Sequence, residues 1–305
     1  MKITEFKDRF PDEHSCRIDF KLKREKEGVI CKRCCHKEHT WLSKRYQWHC
    51  KGCGFRTTLR SGTLMHDSKL PLRTWYLCMA FMGMTKKAMS AHEMRRQLDM
   101  KRYEPVWAMM HKIRKAMGQR DKRYELFNSV ELDEGYFPQA TPIAIKLKRG
   151  KGSQRKKNVL VMAESTPLEN VNTGKKCSHC RFFKMKVLQT GTADSINQEL
   201  RESINEKAIV FSDKATNYID IAKYVEGHVK IKSDKQSTNE SLRWVHMAIS
   251  NAKRTLLGVY HKIRGVNLQC YLDEFCYKLN RRYFGDRLFD RITIALASSL
   301  CIHAD

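Results

Sequence analysis

Apolar and polar positions alternate along residues 129–137 (SVELDEGYF). This period of two predicts a β-strand with Val130 and Leu132 on one face and Glu131 and Asp133 on the other. Further apolar runs predict strands at 158–164 (NVLVMAE), 185–189 (MKVLQ) and 208–213 (AIVFSD), with an edge strand at 228–231. An amphipathic helix begins at Ala193, a short helix spans 216–224, and long helices follow over 237–257, 268–282 and 289–300. From Ser129 the order is therefore β, β, β, α, β, α, β and then helices, an α/β layout.

The first half reads differently. Residues 1–28 predict a short helix or two, 56–71 a linker rich in turn residues, and 72–84 an aromatic and Met-rich core helix. Ser90 can cap a helix over 91–98, and 99–103 forms a turn. Pro105 then sits in the first turn of a second helix whose apolar face is Val106, Trp107, Met110, Ile113 and Met117. Two helices across a tight turn read as a helix-turn-helix, with Lys112, Arg114 and Lys115 as its DNA-contacting residues. Three regions follow: an N-terminal region at 1–70, a helical region at 71–122, and an α/β region at 123–305 with an insertion at 165–183.

Charge narrows the partner. The 305 residues carry 59 Lys and Arg against 33 Asp and Glu, a formal charge of +26, and that self-repulsion is best explained by a polyanion. No apolar run is long enough to span a bilayer, and neither a leader nor a lipidation motif is seen, so the partner is double-stranded DNA rather than membrane and the expected location cytoplasmic. A Lys- and Arg-rich stretch at 146–157 reads as an exposed arm along phosphates, through Lys148, Arg149, Lys151, Arg155, Lys156 and Lys157.

Two sets of residues carry chemistry. Cys31 and Cys34, then, after fifteen intervening residues, Cys50 and Cys53 form a double CxxC whose spacing predicts a closed, structural tetrahedral Zn²⁺ site. Cys35 and His36 lie close enough to compete for one ligand position. Cys177 and Cys180 make a lone CxxC, leaving open a second metal site or a loop of reduced thiols. The second set is acidic. A carboxylate within a strand needs a partner, and a divalent metal is one. Asp133 and Asp213, each from its own strand, suggest converging ligands. The third position falls on the helix over 237–257. Ser237 and Glu240 have the spacing of a capping box, which would occupy Glu240 with backbone amides. Asn239, His246 and Lys253 lie seven apart and share a face, which makes His246 the first choice and Lys253 a phosphate contact, with Glu240 as the alternative acid. An imidazole among oxygens shifts preference from Mg²⁺ toward Mn²⁺.

Together these residues resemble the bacterial and archaeal insertion-sequence transposases of the DDE type, with an N-terminal zinc ribbon and a ribonuclease-H-like catalytic domain. The resemblance rests on the four ribbon cysteines, Ser61-Gly62-Thr63, residues 72–75, the helix-turn-helix, Glu131-Leu132-Asp133-Glu134, Ser212-Asp213, residues 258–261 and 271–282 (YLDEFCYKLNRR). It implies a ribonuclease-H-like mixed sheet flanked by helices over 123–305. It also implies Asp133, Asp213 and His246 as ligands of two catalytic Mg²⁺ or Mn²⁺ ions, with Lys253 beside them. Counting back from 258–261 places His246 at the family's third position, as a subgroup variation. The implied reaction is cleavage at the element's terminal inverted repeats and strand transfer into target DNA, by a dimer or larger assembly in the nucleoid of a prokaryotic cell. Two other classes stay open: a DNA-binding regulator without catalysis, and a nuclease or resolvase of the same fold.

Overall fold

The computed structural model describes residues 1–140, 155–165, 180–231, 241–260 and 263–300, with backbone alone at 168–169 and 176–177. Two compact units emerge, Met1–Arg120 with Arg281–Asp305, and Asp121–Asn280. Among the described residues no helix is long and apolar enough to cross a membrane.

In the first unit, α1 (Ile3–Arg9) and α2 (Glu13–Glu27) precede a small antiparallel sheet of β1 (His39–Leu42), β2 (Gln47–Cys50) and β3 (Arg56–Thr58). Asp12 starts α2 by accepting from the Ser15 amide at 2.7 Å. The sheet leans on α2 through aromatics: Trp48 Nε1 donates to Glu25 at 2.9 Å, and Arg17 lies over the Tyr46 ring. The segment over 56–71 is not a linker. Leu59, Thr63 and Met65 are buried in it, and the Thr63 hydroxyl caps its own turn through the Arg60 carbonyl and the Met65 amide. Next come α3 (Leu72–Met84), α4 (Ala91–Gln97) and α5 (Tyr103–Lys122). The turn between α4 and α5 is a Schellman motif: Met100 N donates to Arg95 O and Asp99 N to Arg96 O, with Asp99 left-handed at φ 49°. The last helix, here called α9 (Leu288–Ala297), packs on α2 and α3, so Phe289 joins the rings of Phe6, Phe10 and Tyr76.

The second unit holds a five-stranded sheet in the order β10-β9-β4-β5-β8. Its strands are β4 (Ser129–Pro138), β5 (Lys156–Glu164), β8 (Phe182–Val187), β9 (Ile209–Asp213) and β10 (Gly227–Ile231), while β6 (Leu168–Glu169) and β7 (Lys176–Cys177) pair separately. The first three run antiparallel as a meander, and β9 and β10 lie parallel to β4. That mixed sheet is the ribonuclease-H-like arrangement. Helix α6 (Ala193–Ser203) covers one face over Val130, Leu132, Leu160 and Met162. On the other face, α7 (Arg243–Val259) and α8 (Leu268–Asn280) cover Phe137, Val159, Val161 and Phe183. Covered on both sides, β5 is a continuous apolar run rather than an alternating one. Instead of a helix over 216–224, two 3₁₀ turns follow β9, Thr216–Tyr218 and Ile221–Lys223.

Edge strand β8 is closed by amide side chains of α8. Gln269 accepts from Val187 N at 2.8 Å and donates to Met185 O at 2.9 Å; Asn280 accepts from Phe183 N at 2.7 Å and donates to its carbonyl at 2.9 Å. These bonds complete a backbone row that would otherwise invite another strand. Asn280 thus docks a helix to the sheet.

Candidate functional site

The four ribbon sulfurs lie within 4.8 Å of one another. Cys31 Sγ is 3.6 Å from Cys53 Sγ, and Cys34 Sγ is 3.5 Å from Cys50 Sγ. Four thiolates at about 2.3 Å from one ion would stand about 3.8 Å apart, so the cluster fits zinc. Two matching knuckles build it. Cys31 N donates to His36 O and Cys35 N to Cys31 O; likewise Cys50 N donates to Phe55 O and Gly54 N to Cys50 O. Each knuckle needs a left-handed residue after its second cysteine, Cys35 at φ 58° and Gly54 at φ 71°. Cys35 therefore serves as a turn residue and stays exposed, and neither it nor His36 joins the cluster. Burial opposes ionisation of Cys31, but the amides of Cys34 and Arg33 and the neighbouring thiols pull it down to about 6. Cys180, of the other CxxC, is buried with its thiol donating to Glu164 O at 3.1 Å, and the Cys177 side chain lies outside the described residues.

The acidic site lies on the α7 side of β4, where strand and helix run in register. Glu131 Oε2 accepts from the Trp244 and Val245 amides at 2.7 and 3.1 Å. Asp133 Oδ2 lies 3.0 Å from His246 Nε2. A Cβ on Gly135 would sit 2.9 Å from the Phe137 ring and 3.4 Å from Ile249, so the glycine makes room for that ring beside the helix. Lys253 ends the row with its ammonium 5.6 Å from the Phe137 ring centroid. Asp213 enters from β9: Leu132 pairs with Ser212, which makes Asp133 and Asp213 neighbours across adjacent parallel strands. Asp213 Oδ1 accepts from Ala215 N at 3.1 Å.

The electrostatics suit a cation. Burial pushes the Asp133 carboxyl above its ordinary range; the Glu134 amide and His246 oppose the rise, and Asp213 adds to it. Burial likewise raises Glu131 to about 7 against the two helix amides that favour its charge. Among the described residues, three ligand atoms or more gather within 4.8 Å only at the cysteines. So Asp133 and His246 meet directly, while Asp213 stands beside them in register without closing a tight triad. Oxygen and imidazole donors of this kind fit a divalent ion bound with an open coordination position.

Other expected residues fall elsewhere. Arg114 is corrected: it is buried at 1% exposure, among the apolar positions of α5, rather than on an exposed basic face. Lys112 is half-buried and donates to His66 O at 3.3 Å, leaving Lys115 as the exposed member of the three. Arg155 and Lys156 are exposed at the start of β5 with Lys157 half-buried, whereas Lys148, Arg149, Lys151, Ser237 and Glu240 lie outside the described residues. Two roles went unread in the sequence, the capping of α7 by Glu131 and the contacts of Glu134. The available signal was Leu242, an N-cap residue with no side chain able to cap.

No curated protein matches the chain. Among solved structures it is similar to a pre-cleavage Mos1 transpososome, at 12% identity over 69% of this chain and 74% of that one with a TM-score of 0.30. It is similar at the same identity and coverage to the Mos1 mariner paired end complex with Mn, with a TM-score of 0.31. Residues 125–280, more than half of the chain and nearly all of the sheet unit, match the ISXO2-like transposase domain, and the chain belongs to that family of transposases.

Proposed function

We propose that this transposase cuts DNA at the ends of its element and joins those ends to target DNA, with Asp133, Asp213 and His246 as the metal-holding set. The observation that carries the reading is the 3.0 Å approach of His246 to Asp133 with Asp213 in the adjacent strand register, inside the family-matched region. These side chains would hold Mg²⁺ or Mn²⁺, which supplies Lewis-acid activation for in-line phosphoryl transfer when bound. Asp133, in contact with His246 and beside Asp213 in register, would be the central ligand of the set. Its desolvation keeps it a poor free anion and a ready ligand. Lys253, held over Phe137 two helical turns beyond His246, would meet a DNA phosphate. The cysteine cluster would hold structural Zn²⁺, and Lys115, Arg155, Lys156 and Lys157 would lie along the phosphate backbone. Assembly as a dimer or larger complex on paired ends completes the proposal.

The test is an end-cleavage and strand-transfer assay on labelled DNA carrying the flanking repeats of the gene, in Mg²⁺ or Mn²⁺. Joined product should appear, and Asp133→Asn or His246→Ala should abolish it while Glu240→Ala leaves it. Cleavage without joining would instead indicate a nuclease or resolvase. Binding without cleavage in either metal would indicate a regulator.

A further inference from the structure

Three acids crowd into Glu131–Glu134, yet the proposed metal-holding set uses one of them, Asp133. The other two point at the segments that deliver its partners. Helix α7 begins without a cap of its own, because Leu242 stands at its N-cap position. Glu131, 4% exposed, takes the N2 and N3 amides from across the sheet, those of the two residues just before His246. It thereby fixes both the start of α7 and its placement along β4. Glu134 points to the opposite face, toward the turn after β9. It accepts from Asn158 of β5 and from Asn217 Nδ2 at 3.5 Å, and its charge lies close enough to the buried Tyr218 to oppose ionisation of that hydroxyl. Tyr218 N donates to Ala215 O, and Ala215 N to Asp213 Oδ1, so contacts lead from Glu134 back to the second aspartate.

We propose that Glu131 and Glu134 are positioning residues: Glu131 sets His246 against Asp133 by clamping the first turn of α7, and Glu134 sets Asp213 beside Asp133 by tethering the turn after β9. The inference rests on the proposed metal-holding role of Asp133, Asp213 and His246. Two carboxylates on one strand then hold the two mobile coordinates of the site, the slide of a helix and the lie of a turn. Neither would touch the metal, since Glu131 is occupied by amides and Glu134 lies on the other face.

The test uses the zinc-loaded full chain and Mn²⁺ alone as probe, with bound Mn²⁺ counted by its paramagnetic resonance signal. Hydrogen exchange at residues 244–246 and 214–218 reports the two segments. Glu131→Ala should weaken Mn²⁺ about 10- to 100-fold, the range for losing a group that orients a ligand, and speed exchange at 244–246. Glu131→Gln, which keeps an acceptor, should recover most of the affinity. Glu134→Ala and Tyr218→Phe should weaken Mn²⁺ and speed exchange at 214–218 while leaving 244–246 protected. Glu13→Ala controls for general destabilisation. Glu13 caps α3 in the same manner, through the Leu72 and Arg73 amides at 2.9 and 2.8 Å, so its loss should lower the melting temperature and leave Mn²⁺ affinity alone. Unchanged Mn²⁺ affinity in Glu131→Ala and Glu134→Ala, while Asp133→Asn abolishes binding, would overturn this inference alone. Mn²⁺ binding unaffected by Asp133→Asn would overturn the metal-holding set beneath it.

Discussion

The cysteine cluster and the acidic site gather ligands in opposite ways. The ribbon takes two pairs of thiols from two short knuckles, each closed by its own backbone bonds, and its sulfurs already sit at the separations that one tetrahedral ion requires. The acidic site takes one residue each from β4, β9 and α7, and its members are brought together by sheet register and by a helix laid along a strand. The first is a local structure that a metal completes. In the second the unit folds around the desolvated carboxyl of Asp133, so burial works against its charge rather than for it. On the proposed reading, one kind of site adds stability through its ligands and the other costs stability for the sake of chemistry.

Removing a ligand should therefore have opposite signs in the two places. The largest effect is expected for Cys50→Ser, which should release the zinc and unfold the ribbon, since zinc supplies on the order of 10 kcal/mol in small units of this type. Metal analysis and a circular dichroism melt read both losses. Retention of zinc by this variant would break the comparison from the ribbon side. Asp133→Asn should do the reverse, raising the melting midpoint by about 2–5 °C without added Mg²⁺ or Mn²⁺ while ending cleavage. A lowered midpoint would mean that the acidic site, too, is structural.

Burial also acts on Lys184, which separates the cost of the site from the cost of any buried charge. Lys184 is 4% exposed on β8, and among the described residues its ammonium has no hydrogen-bond partner. Burial, with Lys186, pulls it down to about 8 against the pull of Asp121, Glu125 and Glu199. A lowered amine binds its proton less tightly in the folded state, so its charge opposes folding below about pH 8. That opposition fades as pH rises from about 8 to about 10.5, a difference of about 3 kcal/mol. Lys184→Met should stabilise the protein at pH 7 and flatten the slope of denaturant stability between pH 8 and 10.5. A slope that persists would assign it to another group. The smallest effect is expected at Cys35, where the first knuckle carries a side chain in the left-handed place that Gly54 fills in the second. Cys35→Gly should leave zinc content unchanged and stabilise the ribbon by about 0.5–1 kcal/mol. Lost zinc would make Cys35 a ligand after all.

Legibility followed how local each feature is. The double CxxC, the strands at 129–138 and 209–213, and the capped α4 with its turn could be read because spacing, alternation and cap chemistry act within a few residues. Reading failed where a partner was distant. Arg114 looked like a member of a basic cluster, since nothing in residues 112–115 shows which side of α5 is covered. Residues 56–71 looked like a linker, because turn chemistry says nothing about whether Leu59 and Met65 are packed over. The Glu131 cap joins positions more than a hundred residues apart, and no local pattern records it.

The sequence by itself determined the candidate ligands, the pairing of the clustered cysteines and the α/β order of the second unit, because thiol spacing and hydrophobic period are properties of short segments. Only the tertiary structure decided that His246 meets Asp133, that Asp213 stands in the next register, and that two glutamates hold the segments around them. Sheet order and the placement of α7 along β4 come from burying two apolar faces at once, a constraint on the whole unit.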